Sequence, residues 1–245
     1  MMTFTKDHLQ NAMRRLSATP WRVVEAQHRA STMRLVDTLD EQRALEDMLE
    51  VSKPTLPASA TKLHYLLATP FRYPAPPPSG SRFRGIGDAG VWYGAEVVHT
   101  ALAEVAYWRL RFLADSPATP DLPPVPHTAF RASIAGNAIV LLQTPFDRHR
   151  KQWEDPVSYD ATQTLARTAR EAGIALIRYR SVRDPQHRAA IAVLSPAAFR
   201  KSAPLAQQVW LIKVARAQVL AETDLGGERL AFAPDELGLP RVSAS

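Results

Sequence analysis

The sequence contains no cysteine. Disulfides and thiolate-held metals are thereby excluded, and a reducing compartment such as the cytoplasm is the expected location. No apolar run approaches the roughly 20 residues that a membrane-spanning helix needs. The opening residues, Met1-Met2-Thr3-Phe4-Thr5-Lys6-Asp7-His8, lack the apolar stretch of a secretory leader. There is no G-x-S-x-G elbow, no phosphate-binding P-loop and no internal repeat. The histidines, His28, His64, His99, His127, His149 and His187 among them, are scattered without metal-ligand spacing, so no metal is expected.

What is present is a chain of 245 residues with a net charge of +6. That length suffices for one large domain, or a domain with an added segment. The densest basic run, Arg148-His149-Arg150-Lys151, is short. A spread of this kind suits a solvated basic surface, an anionic small ligand or an acidic partner. Without a zinc-finger or RNP pattern, direct nucleic-acid binding is not expected.

Lys6 to Leu16 and Thr38 to Val51 carry apolar residues at helical spacing, which predicts a helical N-terminal segment over residues 1–58. Prolines 54, 57, 70, 74, 76, 77 and 78 then favour loop or extended chain, with Leu63 to Leu67 as a short strand. Further strands are predicted at Val91–Ala95, Thr128–Ser133, Ala138–Leu142, Ile174–Tyr179 and Ala189–Leu194, with Val209–Leu220 readable as strand or helix. Ala135-Gly136-Asn137 is the expected turn between the third and the second of these. His99–Phe112 predicts an amphipathic helix with Ala101, Val105, Trp108 and Phe112 on its inner face. Ser158–Ala172 predicts another, ended by Gly173. Helices and hairpin-like strands interleave, so the fold class is α+β with a mixed sheet. A catalytic domain is expected over 59–233, with a tail at 234–245.

The chemistry concentrates between Tyr65 and Tyr107. Arg82 and Tyr93 are eleven residues apart, as are Tyr93 and Glu104. Glu104 has Thr100, Ala101, Tyr107 and Trp108 as helical neighbours, none of them basic, so no ion pair within the helix explains it. Surface glutamate paired elsewhere and buried carboxylate with a specific task both fit. Arg72 and Arg82 flank a proline-rich loop, where a guanidinium can fork onto a pyrophosphate or simply face solvent. Tyr93 alternates with Trp92 along a strand and suits either the core or a ligand ring. Ser181 follows a strand end. Gly85-Ile86-Gly87-Asp88-Ala89-Gly90 imitates a dinucleotide fingerprint but precedes a strand instead of following one, and is rejected as such.

In order, Phe71-Arg72-Tyr73, Gly80-Ser81-Arg82-Phe83, Tyr93, Ala101 to Glu104, Tyr159-Asp160-Ala161-Thr162-Gln163 and Tyr179-Arg180-Ser181-Val182-Arg183 resemble the RES family. The resemblance spans roughly residues 63–200. It implies a split mixed sheet like that of ADP-ribosyltransferases, and a toxin of a toxin–antitoxin pair that consumes NAD by phosphorolysis or hydrolysis of the nicotinamide–ribose bond. Transfer of ADP-ribose to a protein is the alternative enzymatic reading, and a non-catalytic basic binding domain is the third. The resemblance assigns catalysis to Arg72, Arg82, Tyr93, Glu104 and Ser181, and NAD binding to Arg72, Tyr73, Arg82, Tyr93, Asp160 and Ser181. NAD would be substrate, with no cofactor. Inorganic phosphate, a helix-turn-helix antitoxin and further copies of the chain are the implied partners. Two positions stay open. Arg22, in Trp21-Arg22-Val23-Val24, rivals Arg72 as the first arginine, and the family's serine maps to Ser181 or to the position of Asp160.

Overall fold

The computed structural model describes residues 4–26, 35–74, 80–224 and 226–240. His28, Pro76, Pro77, Pro78 and residues 241–245, singled out above, lie outside the described residues. Within them the strands are β1 (Arg14–Ala18), β2 (Trp21–Glu25), β3 (Trp92–Ala95), β4 (Leu122–Arg131), β5 (Ile134–Val140), β6 (Leu176–Arg180), β7 (Ala189–Val193), β8 (Ala206–Ala215), β9 (Gln218–Thr223) and β10 (Arg229–Phe232). The helices are α1 (Lys6–Ala12), α2 (Leu39–Ser52), α3 (Tyr65–Arg72), α4 (Val98–Asp115), α5 (Arg150–Trp153) and α6 (Asp160–Glu171).

The strands form one sheet in the order β1-β5-β6-β7-β3-β2-β4-β8-β9-β10. The β5–β6 pair is parallel, and the other pairs are antiparallel. The sheet is therefore mixed, and the expected α+β class is borne out. Central β7, Ala-Ala-Ile-Ala-Val, is buried at every position, as a strand covered on both faces must be. Ala190 and Ala192 join the side packed by Leu102, Ala106 and Leu110 of α4 and by Leu165 and Ala169 of α6. Ile191 and Val193 join the opposite side, with Leu67 and Phe71 of α3, Trp92, Phe130 and Phe199.

The sheet comes apart at its middle. Strand β2 shares five register positions with β4 and β3 shares four with β7, but β2 and β3 share only Trp21↔Ala95. Beyond that pair the two strands diverge and leave a wedge, over which α4 passes.

Several expectations are corrected. The N-terminal segment is helical at α1 and α2 but not between them. Residues 14–25 are two strands of the sheet, because Trp21 to Glu25 find ladder partners in Arg131 to His127, and Arg14 to Ala18 in Ala138 to Ile134. Leu63–Leu67 is not a strand: the His64 side chain accepts the Leu66 N–H and opens α3, which tolerates Pro70 near its end. Ala135-Gly136-Asn137 lies inside β5, and β4 and β5 do not pair with each other. Val209–Leu220 resolves into the β8–β9 hairpin. The inner face of α4 is rotated from the one expected: Leu102, Ala106, Leu110 and Leu113 are buried, and Trp108 and Phe112 are exposed. At the expected tail, Leu237 and Leu239 are buried in the core.

Candidate active site

The wedge between β2 and β3 opens into a cavity of about 370 Å³. One wall is β2. Arg22 reaches across the split, and its Nη1 donates to the Tyr93 carbonyl at 2.8 Å. Its guanidinium carbon stands 5.7 Å from the centroid of the Trp92 ring, and its buried Nε has no hydrogen-bond partner. Among the described residues no carboxylate pairs with it. Burial lowers its pKa to about 10, so the group stays charged near neutrality. A charged guanidinium in such a place favours an anion.

The second wall is β3 with the turn before it. Gly80 has φ +77°, and a Cβ there would stand 2.2 Å from the Arg84 carbonyl oxygen, so this turn requires glycine. The Tyr93 hydroxyl pins the turn by accepting from Phe83 N–H at 2.9 Å and bonding the Ser81 hydroxyl at 2.9 Å. Burial raises the Tyr93 pKa, and the phenol remains neutral. The turn delivers Arg82, whose Nη1 donates to the Trp153 carbonyl at 2.8 Å and the Asp155 carbonyl at 3.1 Å. The Arg82 guanidinium lies 5.0 Å from the Tyr159 ring centroid, an arrangement that holds it flat against an aromatic face.

The base of the cavity is α4 and the turn after β6. Glu104 lines the cavity and receives the Ser181 hydroxyl on Oε1 at 2.5 Å. Burial raises the Glu104 pKa, while the Ser181 hydrogen bond and the charges of Arg82 and Arg183 oppose that rise. Arg183 stacks 3.7 Å above the Tyr107 ring and donates to the Pro156 carbonyl at 2.6 Å. Tyr179 shares this region. Burial first and then the Glu104 charge hold its pKa well above the usual tyrosine value. Glu25 and Arg109, paired with each other, and buried His127 also line the cavity.

The structure thus brings together Arg82, Tyr93 and Glu104, with Ser181 bonded to Glu104 from behind. Three other residues lie elsewhere. Arg72 ends α3, pairs with Glu50 of α2 at 2.8 Å and does not line the cavity. Tyr73 is 40 % exposed, and its carbonyl accepts from Arg84. Asp160 is exposed at the start of α6, where it accepts from the Ser158 hydroxyl at 3.3 Å. Of the two open choices, Arg22 lines the cavity, and Ser181, itself buried, reaches it only through its bond to Glu104. Tyr159, Tyr179 and Arg183 also line the cavity, though the sequence reading assigns them no role. Tyr179 and Arg183 stand two residues to either side of Ser181, and Tyr159 directly precedes α6.

Beside the paired Glu25 and Arg109, the guanidinium groups of Arg22, Arg82 and Arg183, the Glu104 carboxylate and several aromatic rings suit a ligand with both phosphate charges and flat rings. The carboxylate can also face a cation formed during reaction. Among the described residues no group of His, Cys, Asp or Glu is placed to hold a metal, and no helix is long and apolar enough to cross a membrane.

Comparison with known proteins agrees with the resemblance drawn from the motifs. The model of the RES domain family matches residues 56–213. That stretch contains Arg72, Arg82, Tyr93, Glu104 and Ser181, and begins after Arg22. No curated protein matches the chain. Among solved structures, the M. tuberculosis MbcT–MbcA toxin–antitoxin complex aligns over 95 % of this chain and 94 % of that chain, with 10 % identity and a TM-score of 0.46. That likeness is too slight to assign a property.

Proposed function

The chain belongs to the RES domain family, and from that premise we propose that it is a toxin that binds NAD in the wedge between β2 and β3 and cleaves its nicotinamide–ribose bond. The observation that carries this reading is Glu104, held from behind by the buried Ser181, set in the same cavity as Arg22, Arg82 and Arg183. In the reaction the C1′–N bond breaks and its electron pair leaves with the nicotinamide nitrogen, which becomes neutral. The ribose carbon is left with oxocarbenium character, and the Glu104 carboxylate stabilises that charge. Water or inorganic phosphate then adds to C1′, giving ADP-ribose or its 1″-phosphate; in the case of water a proton is released. Arg22 and Arg82 offer guanidinium edges to the pyrophosphate, while Tyr93 and Tyr159 present rings to flat parts of the ligand.

NAD is a substrate here, and the residues present need no added cofactor for this chemistry. The biological counterpart of the reading is a helix-turn-helix antitoxin that blocks the cleft inside the cytoplasm. The test is mass analysis of products after purified protein is incubated with NAD, with and without phosphate. Nicotinamide release is the expected outcome, and the partner product tells water from phosphate. NAD left intact in both arms refutes the proposal, and a labelled protein band from radiolabelled NAD would replace it with protein ADP-ribosylation.

A further inference from the structure

Ser181 and Glu104 meet because something behind them fixes both. A serine hydroxyl carries one proton and two lone pairs. Ser181 Oγ accepts from Arg183 N–H at 3.2 Å and from Asp184 N–H at 3.1 Å, so both lone pairs are used. Its proton then goes to Glu104 Oε1. This direction holds only while the turn from Ser181 to Arg188 keeps its two N–H groups aimed at Oγ.

The turn is organised by the Asp184 carboxylate, whose side chain has no exposed surface. Oδ1 accepts from Gln186 N–H at 3.2 Å and Oδ2 from Arg188 N–H at 3.3 Å. The Thr100 hydroxyl, fully buried, donates to Oδ2 at 2.7 Å. Arg188 Nη1 approaches Oδ2 at 3.3 Å and donates to His99 Nδ1 at 2.7 Å, and the His99 ring packs edge-on to Phe232 of β10. The charge of Asp184 is thus countered by Arg188. The charged groups acting on Glu104 are Arg82 and Arg183, which favour its ionised form, and Asp184, which opposes it.

Thr100 and Glu104 are four residues apart on α4 and so lie one above the other on the same face. Helix and turn are fastened at two points, Thr100 to Asp184 and Glu104 to Ser181. Neither Thr100 nor Asp184 lines the cavity. We propose that Asp184, anchored by Thr100, is a positioning residue that holds Ser181 as a hydrogen-bond donor to Glu104. This rests on the reaction assigned to Glu104 above. The competing view is a buried polar cluster that merely stabilises the fold, which would act on rate independently of Ser181.

Thr100→Val removes one hydroxyl at nearly constant volume. The expected result is a fall of about tenfold in kcat for NAD loss with KM within about twofold, the loss of roughly one hydrogen bond. Thr100→Ser, which keeps the hydroxyl, should restore the rate. In a Ser181→Ala background Thr100→Val should cost nothing further, because the two act through one contact. An equal loss in both backgrounds, or no loss in either, overturns the proposal. Should Thr100→Val not fold, Asp184→Asn takes its place in the same cycle with the same expectations. Crystal structures of the wild type and the variant give a readout independent of turnover. The Ser181 Oγ to Glu104 Oε1 separation should lengthen beyond about 3.5 Å. An unchanged separation overturns the positioning role, whereas a wild type inert toward NAD refutes the reaction and leaves that distance to decide.

Discussion

Arg22 and Arg72 each follow an aromatic residue, and the fold treats them oppositely. Arg22 follows Trp21 on a strand beside the split of the sheet, spans the gap to Tyr93 and has no carboxylate partner among the described residues. Arg72 follows Phe71 at the end of α3 and is paired with Glu50, whose side chain is 55 % exposed on α2. Their carboxylate surroundings differ in the same way. Burial raises the pKa of Glu104 beside the cavity, while hydrogen bonds from Lys53 and then Arg72 lower that of Glu50. One region keeps charge desolvated and unspent; the other neutralises it at the surface. The local sequence form is shared, so sheet topology, not sequence form, decides which arginine can meet a ligand.

The largest effect should come from the desolvated carboxylate itself. Glu104→Gln keeps an acceptor for Ser181 but removes the charge that faces the developing cation. NAD consumption should fall about 10³-fold, the scale of removing one strong transition-state contact. The same variant should gain stability. A carboxyl whose folded pKa is raised contributes stability that is complete below its unfolded pKa and is lost as pH rises through the folded value. Near neutrality the charged Glu104 is therefore a cost, and its removal should raise Tm by about 2–4 °C, the equivalent of ~1 kcal/mol in a chain of this size. Loss of both activity and stability would place Glu104 among ordinary structural ion pairs, like Glu50.

Next in size is Arg22. Arg22→Ala should reduce kcat/KM for NAD about 10²-fold, and Arg22→Lys about tenfold, since lysine restores charge without the planar fork. Equal recovery by lysine would mean that charge alone is needed there. Smaller again is a shift in pH dependence. The acid limb of kcat should lie above the ordinary glutamate value of 4.5, because burial raises the Glu104 pKa. Ser181→Ala removes a hydrogen bond that favours the charged form, so the limb should move up by roughly one pH unit. A limb unmoved by that substitution would detach the serine from the carboxylate.

Much of this was legible before the structure. Gly173 sits at φ +74° just past α6, where a helix end calls for a left-handed residue. The spacing of Arg82, Tyr93 and Glu104 is visible in the sequence, and all three line the cavity, because each lies on or beside an element with its own local pattern. Arg22 was harder to rank. Strands β1 and β2 are five residues each, and their partners are Ala95 and residues beyond 126, so no local period reveals that they enter the sheet. The apolar pattern of α4 points away from its buried face because that side contains Ala103 and Ala106 as well as leucines, while the large rings of Trp108 and Phe112 dominate the pattern from the outside. The Asp184 network was invisible because its links join α4 to a turn some 80 residues later.

The smallest effect, and the sharpest test of the contrast, belongs to Arg72. The family match includes Arg72 and begins after Arg22, whereas the cavity includes Arg22 and not Arg72. If geometry governs, Arg72→Ala should leave NAD consumption within about twofold of wild type. Its cost should fall on stability instead, with only a small share from the Glu50 pair, which is largely solvated and screened. Some further loss comes from the packed stem of the side chain, so a Tm lowered by about 2–4 °C is the expected reading. Glu50→Gln should reproduce the smaller, electrostatic part of that shift and lose it in high salt. The opposite result, inactivity in Arg72→Ala beside an active Arg22→Ala, would reverse the assignment: α3 would then have to bring Arg72 to the ligand by breaking its pair with Glu50.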